Sequence, residues 1–494
     1  MDVRGGAAGD MPAEEFRRAA HRVVDWIADY LERVGEYPVL ARTAPGEIAR
    51  GLPAAPPRQG EPVDAILRDV DEVILPGITH WNHPAFFGYF AITGSGPGIL
   101  GEMLAAALNV NGMLWKTSPA ATELEEVALG WLRQMVGLPG EFFGVIMDTA
   151  SVASLCAIAA AREAVAEYPV RLRGLAGGPR LRLYPSEQAH SSVEKAALVL
   201  GLGQDGVRKI PTDNAFRMDP QALAEAVAED RRQGWRPFCV AATVGTTSTT
   251  SIDPVPAIAD VCEREGLWLH VDAAYAGMAA VAPEYRWVLD GCARADSVVI
   301  NPHKWLFVPI DCSAFYCRRP EVLRRAFSLV PDYLRTPERD REGVRDLMDY
   351  GIQLGRRFRG LKLWMVIRYF GSEGVASRIR DHIALAQRFA AWVDAHPDFE
   401  RMAPAPLSVV CFRAHPAGLR GRVGPETLDG LNADVLERVN ATGRAFLSHT
   451  RLRGRMTLRL AVGNLRTTER HVRQAWDLIQ EATAAAVRAA GLAR

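Results

Sequence analysis

Five short apolar runs in the middle of the chain are each followed at once by polar residues that could do chemistry. The segments after these runs are DTAS (148–151), PSEQAHS (185–191), GTT (245–247), DAAY (272–275) and NPHKW (301–305). Ligands of open α/β sheets bind just beyond the carboxyl ends of the strands, so we expect these segments to meet at one edge. That edge would carry hydroxyl groups, two histidines, one lysine and the carboxylate of Asp272.

Three of these side chains suit an aldehyde cofactor. The Lys304 amine can hold an aldehyde as an imine. A pyridoxal ring withdraws electrons only while its ring nitrogen stays protonated, which calls for a fixed anionic partner. Asp272 is the carboxylate placed at a strand end, and an ion pair with the pyridinium would keep both groups charged. His190 is placed to stack flat on the ring.

A phosphate group fits the helix predicted to start after residue 147. Its first residues, Thr149, Ala150 and Ser151, supply backbone N–H groups and hydroxyls at a helix N-terminus. The carboxylate of Asp148 would repel a phosphate this close. We therefore expect Asp148 to point away or to cap the helix.

The elements around these segments predict an α/β protein in three parts. From about residue 140, apolar runs alternate with amphipathic helices, which indicates a mostly parallel sheet covered on both faces. From about 376 a long helix, short strands at 407–413 and 456–462 and a final helix predict a smaller α+β domain. We predict an N-terminal helical arm that packs on a partner subunit (1–95), a large cofactor-binding domain (96–375) and a small C-terminal domain (376–494).

Composition excludes several classes of function. Lys plus Arg and Asp plus Glu number 58 each, so no net field attracts nucleic acid or an anionic membrane. No apolar run approaches the roughly 18 residues of a membrane span, and the first dozen residues lack a signal core. Seven cysteines without a CxxC pair predict neither disulfides nor zinc and favour the cytoplasm. His80 and His83 have HxxH spacing but no third ligand, so we predict no metal.

The motifs together resemble those of one enzyme family. In order and spacing, they are similar to those of group II pyridoxal-phosphate-dependent decarboxylases, above all aromatic-L-amino-acid decarboxylases. The motifs are NPHKW, HVDAAYAG, QAHSSVEKA, GTTSTTSIDP and the DTAS helix start. The resemblance runs from about residue 14 to 485. It implies the aspartate aminotransferase-like fold, which is fold type I of pyridoxal-phosphate-dependent enzymes. It also implies a homodimer whose active sites lie at the subunit interface.

The resemblance also implies roles for individual residues. Lys304 would carry pyridoxal 5′-phosphate as an imine, Asp272 would pair with the ring nitrogen, and His190 would stack on the cofactor and orient the substrate. Ala274 would lie beside the ring and Thr246 near ring and substrate. The surroundings of the phosphate and the lysine would be Thr149, Ala150, Ser151, Asn301 and His303.

Tyr333 separates two chemistries in this family. The segment FSLVPDYL (327–334) is similar to the family's mobile catalytic loop, in which a tyrosine at this place reprotonates the substrate carbon after CO₂ leaves. Relatives that form aldehydes usually carry phenylalanine there. Tyr333 therefore favours decarboxylation of an L-amino acid to its amine and CO₂. An aldehyde-forming oxidative decarboxylase or deaminase is the alternative.

The predicted substrate pocket leaves the amino acid open. Trp81, Tyr89 and Phe90 match aromatic positions of the family's pocket and favour an aromatic substrate. The departures from the animal enzymes are Ala91 and Ile92 in place of proline and threonine, and Asn111 and Met113 in place of isoleucine and phenylalanine. The amide of Asn111 indicates either a polar or acidic substrate such as glutamate, or an asparagine satisfied by its neighbours.

Overall fold

A six-stranded sheet forms the centre of the molecule in the computed structural model, which describes residues 9–165, 168–339 and 341–492. Its strands are β2 (Phe143–Met147), β3 (Leu181–Pro185), β4 (Arg236–Thr243), β5 (Trp268–Asp272), β6 (Ser297–Ile300) and β7 (Ser313–Cys317). The spatial order is β2-β7-β6-β5-β4-β3. The sequence predicted a mostly parallel sheet, and β3 to β6 are parallel neighbours in the structure.

The five predicted apolar runs are strands, and one strand was missed. β7 runs antiparallel between β2 and β6, and its side chains are wholly buried. It follows the Lys304 segment directly, so its sequence lacks a preceding helical stretch that would mark a new strand. β7 nevertheless matters for the site, because it lies beside the strand that leads to Lys304.

Helices cover both faces of this sheet and also lie in the N-terminal and C-terminal parts of the chain. They are α1 (Ala13–Arg33), α2 (Glu47–Gly51), α3 (Val63–Asp69), α4 (Gly96–Leu108), α5 (Pro119–Val136), α6 (Ala150–Glu163), α7 (Val170–Arg173), α8 (Ser192–Val199), α9 (Pro220–Arg232), α10 (Val255–Glu265), α11 (Pro302–Trp305), α12 (Pro320–Phe327), α13 (Arg359–Ala395), α14 (Pro425–Ala441) and α15 (Glu469–Ala489). α13 contains a break at Gly371, whose φ of 65° is left-handed. The helix crosses the predicted boundary at residues 375 and 376, and the division into three parts stays a prediction.

A second sheet carries residues from both ends of the chain. Its strands are β1 (Phe86–Phe87), β8 (Phe399–Arg401), β9 (Val409–Ala414), β10 (Phe446–Leu452) and β11 (Arg455–Ala461). The order is β1-β10-β11-β9-β8. β9 and β11 confirm the two predicted strands. β1 pairs in parallel with β10, with Phe86 opposite Phe446, so the small sheet fixes the start of the predicted aromatic pocket.

The N-terminal helix α1 is attached mainly by polar contacts. The Trp26 Nε1–H donates to Asp71 Oδ1 at 2.6 Å, and the Tyr30 hydroxyl lies 3.0 Å from His80 Nδ1. Ala19 is its buried residue, whereas Phe16 is 62% exposed. The helix therefore leaves apolar surface uncovered within one chain.

Two compositional expectations can be compared with the structure. Within the described ranges, no helix combines the length and apolar character needed to cross a membrane. All seven cysteines are unpaired and buried. Burial raises the pKa of Cys312 to about 12, so its thiol stays protonated and unreactive.

Candidate active site

Lys304 lies immediately beyond the carboxyl end of β6, on the short helix α11. Its Nζ is 5.1 Å from the centre of the Phe90 ring. Burial lowers the pKa of Lys304, and the charge of Asp272 opposes that shift. Because desolvation disfavours the ammonium form, more of the amine is neutral and nucleophilic than in water. An amine of this kind can bind an aldehyde.

Asp272 is the last residue of β5 and is 6% exposed. Its Oδ1 accepts a hydrogen bond from the Ala274 N–H at 3.1 Å. β5 and β6 are parallel neighbours, with Asp272 opposite Val299. The sheet therefore holds a carboxylate beside the lysine segment, which is the charge arrangement that a protonated pyridine nitrogen requires.

His190 lies near both of these groups, since the charges of Asp272 and Lys304 both act on its pKa. Burial lowers the pKa of His190, Asp272 opposes the shift and Lys304 adds to it. Its Nδ1 accepts a hydrogen bond from the Ser192 N–H at 3.2 Å and lies 2.8 Å from Ser192 Oγ. The neutral ring therefore carries its proton on Nε2.

The start of α6 is available to an anion. Thr149 is the N-cap residue but its side chain makes no capping hydrogen bond; Ala150 and Ser151 are the first helical residues. Asp148 forms an ion pair with Arg359 at 2.7 Å and accepts a hydrogen bond from Gln353. The acid that would repel a phosphate is thus neutralised by an arginine, which agrees with our expectation that it points away.

Asn301 and His303 are held rigidly between α11 and β7. Ser313 Oγ donates to Asn301 Oδ1, and the Cys312 N–H donates to His303 Nδ1 at 3.0 Å. Burial, with the Lys304 charge, lowers the pKa of His303 to about 4. His303 is therefore neutral, and its ring proton lies on Nε2. Both residues orient the segment that carries the lysine.

Thr246 lies in a loop that hydrogen-bonds to itself. Its Oγ1 accepts from the Ser251 N–H at 3.0 Å and lies 2.9 Å from Thr249 Oγ1. Asp253 anchors the base of the loop by accepting from the N–H groups of Thr243 and Met218, each at 2.7 Å. We gave Asp253 no role from the sequence, although it is the acid within GTTSTTSIDP.

Aromatic rings line the side of Lys304 that faces β1. Phe90 stacks on Tyr275 at 3.9 Å between ring centres, and Tyr275 stacks on Trp305 at 4.6 Å. Trp81 stacks on Tyr89 at 5.7 Å. Tyr275 is a functional candidate that sequence reasoning missed, although it stands within the quoted motif HVDAAYAG. Ile92 is half-buried just after this wall.

These groups fit pyridoxal phosphate. The desolvated amine suits the aldehyde, and the buried carboxylate beside it suits the ring nitrogen. The histidine suits the face of the ring, and the uncapped helix start suits the phosphate. We infer that Lys304, Asp272, His190, Ala274 and Thr246 would hold the ring. We infer that Thr149, Ala150, Ser151, Asn301 and His303 would surround the phosphate and the lysine.

Comparison with known proteins agrees with this geometry. A family model described as the pyridoxal-dependent decarboxylase conserved domain matches residues 45–415. The chain belongs to this family. It is 41% identical to an aromatic-L-amino-acid decarboxylase of Catharanthus roseus over 96% of this chain and 94% of that protein. It is also 41% identical to a phenylacetaldehyde synthase of Arabidopsis thaliana over 95% of this chain and 96% of that protein.

A solved structure extends the likeness to the fold. Oryza sativa TDC with PLP and tryptamine has a TM-score of 0.93 and 40% identity, covering 97% of this chain and 99% of that one. The predicted family, the fold type I architecture and the pyridoxal phosphate cofactor are thereby confirmed. The chain is a pyridoxal-phosphate-dependent amino-acid decarboxylase.

Three further predicted site residues of this decarboxylase are Asn111, Met113 and Tyr333. Met113 and Leu334, the neighbour of Tyr333, belong to one apolar cluster, and Tyr333 itself is 78% exposed. Asn111 Oδ1 accepts from the Arg356 N–H at 2.9 Å. Asn111 is thus hydrogen-bonded within its own chain, and Leu334 of the loop packs with Leu114 and Met348.

His80 and His83 of this decarboxylase serve in packing. His80 stacks on Tyr37 at 4.9 Å, and His83 Nδ1 accepts from the Ala85 N–H at 2.9 Å. Burial lowers the pKa of His83 to about 4. Across the part of the chain that the structure describes, no three His, Cys, Asp or Glu side chains are arranged to hold a metal ion.

The lowered pKa of His190 predicts the acid side of the pH profile. If neutral His190 is the active form, kcat/KM should be constant around neutral pH and fall only below the ordinary histidine value of 6.5, since the folded pKa lies under it. His190→Gln should remove this acid limb and lower the rate by about 100-fold or more. His449→Gln, at an exposed histidine, is the matched control. An acid limb centred above pH 6.5, or one that survives in His190→Gln, contradicts the assignment.

Proposed function

We propose that this decarboxylase converts an aromatic L-amino acid to the corresponding amine and CO₂. The observation that carries the proposal is the aromatic wall beside the lysine: Phe90 contacts Lys304, and Trp81 and Tyr89 continue the wall outward. Flat apolar side chains stack favourably on such rings. The names of the Catharanthus roseus relative and of the ligand in the Oryza sativa structure support the same substrate class.

The chain's own groups suit each requirement of the reaction. Bound pyridoxal phosphate supplies an electron sink for the bond that breaks. Lys304, whose lowered pKa leaves part of the amine neutral, would hold the aldehyde. Asp272 would favour a proton on the ring nitrogen, and the neutral His190 would orient the substrate.

The walls around Lys304 favour loss of CO₂. The stacked rings of Phe90, Tyr275 and Trp305 are buried, with Phe90 9% and Tyr275 1% exposed. A carboxylate next to such surfaces loses hydration that it has in water, whereas neutral CO₂ loses little. We infer that the buried aromatic wall beside Lys304 favours departure of the carboxylate as CO₂.

We infer that the active enzyme is a homodimer with shared sites. Leu100, Leu104 and Leu108 repeat every fourth residue along α4 and are 51%, 50% and 59% exposed, which is apolar surface that a second copy would cover. Met113 and Leu334, the neighbour of Tyr333, pack in a different apolar cluster from Phe90 of the same chain. Their placement supports a site in which one subunit supplies Lys304 and the other supplies Tyr333, Asn111 and Met113.

We also propose a cytoplasmic location and keep the aldehyde-forming alternative. Seven unpaired, buried cysteines support a reducing compartment. The Arabidopsis thaliana relative is named for aldehyde synthesis, so the product class depends on Tyr333. A phenolic hydroxyl there can hand a proton to the substrate carbon, which yields the amine.

The substrate class predicts the outcome of a product screen. Holoenzyme incubated separately with tryptophan, tyrosine, phenylalanine, dihydroxyphenylalanine, histidine and glutamate should release CO₂ and amine from at least one of the four aromatic amino acids. The kcat/KM for that substrate should exceed the value for glutamate by about 100-fold or more, because an apolar wall gives a second carboxylate no partner. Faster turnover of glutamate or histidine would contradict the proposal.

Shared sites predict that two defective variants complement each other. Lys304→Ala should make no product. Tyr333→Phe should convert substrate, O₂ and water to aldehyde, CO₂, ammonia and hydrogen peroxide in place of amine. When the two chains are co-expressed in equal amounts, half of the dimers are mixed, and each mixed dimer has one intact site. Amine formation should therefore return to about a quarter of the wild-type rate.

The control for this complementation is Tyr369→Phe, at a tyrosine that is 72% exposed. This variant should make amine at the wild-type rate. Absence of recovered amine in the mixed Lys304→Ala and Tyr333→Phe preparation would show that both residues serve the same subunit's site. Unchanged amine yield in Tyr333→Phe alone would overturn the role of Tyr333.

A further inference from the structure

Arg459 is a buried arginine that the roles described above do not use. It lies on β11 and is 4% exposed. Its guanidinium donates hydrogen bonds to Ser248 O at 2.7 Å, Thr247 O at 2.9 Å, Ser448 Oγ at 3.0 Å and Tyr89 O at 3.2 Å. Burial lowers its pKa. Carbonyl and hydroxyl oxygens, rather than a carboxylate, are thus the partners that these bonds give the cation.

One of these partners is a strained residue in the aromatic wall. Tyr89 has a φ of 51°, a left-handed conformation that bulky side chains rarely adopt. The Tyr89 N–H donates to Ser448 Oγ at 3.1 Å, and the Tyr89 carbonyl accepts from Arg459. Arg459 and Ser448 therefore hold both polar backbone groups of Tyr89, and surrounding contacts of this kind are what maintain a strained backbone.

The other partners belong to the loop that carries Thr246. The carbonyls of Thr247 and Ser248 both accept from Arg459. The guanidinium also lies 5.4 Å from the centre of the Phe90 ring, and Lys304 Nζ lies 5.1 Å from the same centre. The Arg459 guanidinium thus contacts the aromatic wall, the loop that carries Thr246 and the small sheet.

We propose that Arg459 is a positioning residue that fixes the separation between the Tyr89–Phe90 wall and the Thr246 loop, and so sets how tightly the substrate fits. The inference rests on the proposed function for the identity of the substrate. Four of the five guanidinium N–H donors are engaged by protein oxygens. The geometry therefore favours action through the protein over direct contact with the reacting atoms.

This position predicts a specific kinetic signature. Loss of the guanidinium would let Tyr89 relax and widen the site, whereas Lys304 and Asp272 keep their own supports. In Arg459→Gln holoenzyme, KM for the preferred aromatic amino acid should rise about tenfold while kcat changes less than about threefold. The absorbance band of the bound cofactor should stay unchanged. Arg459→Lys should recover part of the KM effect, since one ammonium can replace some of the hydrogen bonds.

The matched control is Arg451 on the neighbouring strand β10. Its side chain is 62% exposed and pairs with Asp429 at 2.8 Å, so Arg451→Gln should leave KM unchanged. Ser448→Ala removes the hydroxyl that joins Arg459 to the Tyr89 N–H and should raise KM by about threefold. Because both residues act on Tyr89, the double variant should raise KM by less than the product of the single effects.

Amide hydrogen exchange gives a readout that does not depend on turnover. In substrate-free holoenzyme, amides of residues 86–92 should exchange faster in Arg459→Gln than in wild type or Arg451→Gln. A lower Tm with unchanged KM and unchanged exchange at 86–92 would reduce Arg459 to a stabilising residue and overturn the proposal. If wild type makes no amine from aromatic amino acids, the proposed substrate fails, and the exchange comparison still decides the role of Arg459.

Discussion

The whole arrangement depends on one desolvated amine held beside one buried carboxylate. β5 ends at Asp272 and β6 leads into Lys304, and the two strands are adjacent and parallel. Burial lowers the pKa of Lys304, while the charge of Asp272 opposes the shift. Part of the lysine amine is therefore neutral and reactive. Lys304 lies 32 positions after Asp272 in the sequence (304 − 272). The parallel pair of strands brings the two groups to one edge of the sheet.

The small sheet supplies the other half of the site. β1 is a two-residue strand, yet its pairing with β10 determines where Tyr89 and Phe90 lie. Gly88 permits the close approach, because a Cβ there would clash with the Phe446 ring. The cofactor groups are thus positioned by the large sheet and the substrate wall by the small one. Contacts that join the two sheets therefore bear on substrate fit.

The sequence was sufficient for the groups whose position follows from local order. Asp272 ends a strand, and Lys304 and the start of α6 come shortly after strands, so the sheet itself brings them together. β7, the pairing of β1 with β10 and the hydrogen bonds of Arg459 were not predicted. They depend on partners up to several hundred residues away: Tyr89 and Arg459 are separated by 370 positions. No local pattern marks such contacts. Tyr333 is 78% exposed, so contacts within one chain do not assign it to a site, and its role stays a proposal.

The covalent link at Lys304 tests the central claim most directly. Holoenzyme saturated with pyridoxal phosphate is treated with borohydride, which fixes a lysine–aldehyde link, and is then digested and analysed by mass spectrometry. The account predicts a stable pyridoxyl adduct on the peptide that contains Lys304, present in wild type and lost from that peptide in Lys304→Ala. An adduct confined to another lysine, such as Lys195 or Lys362, or no adduct at all, would contradict it.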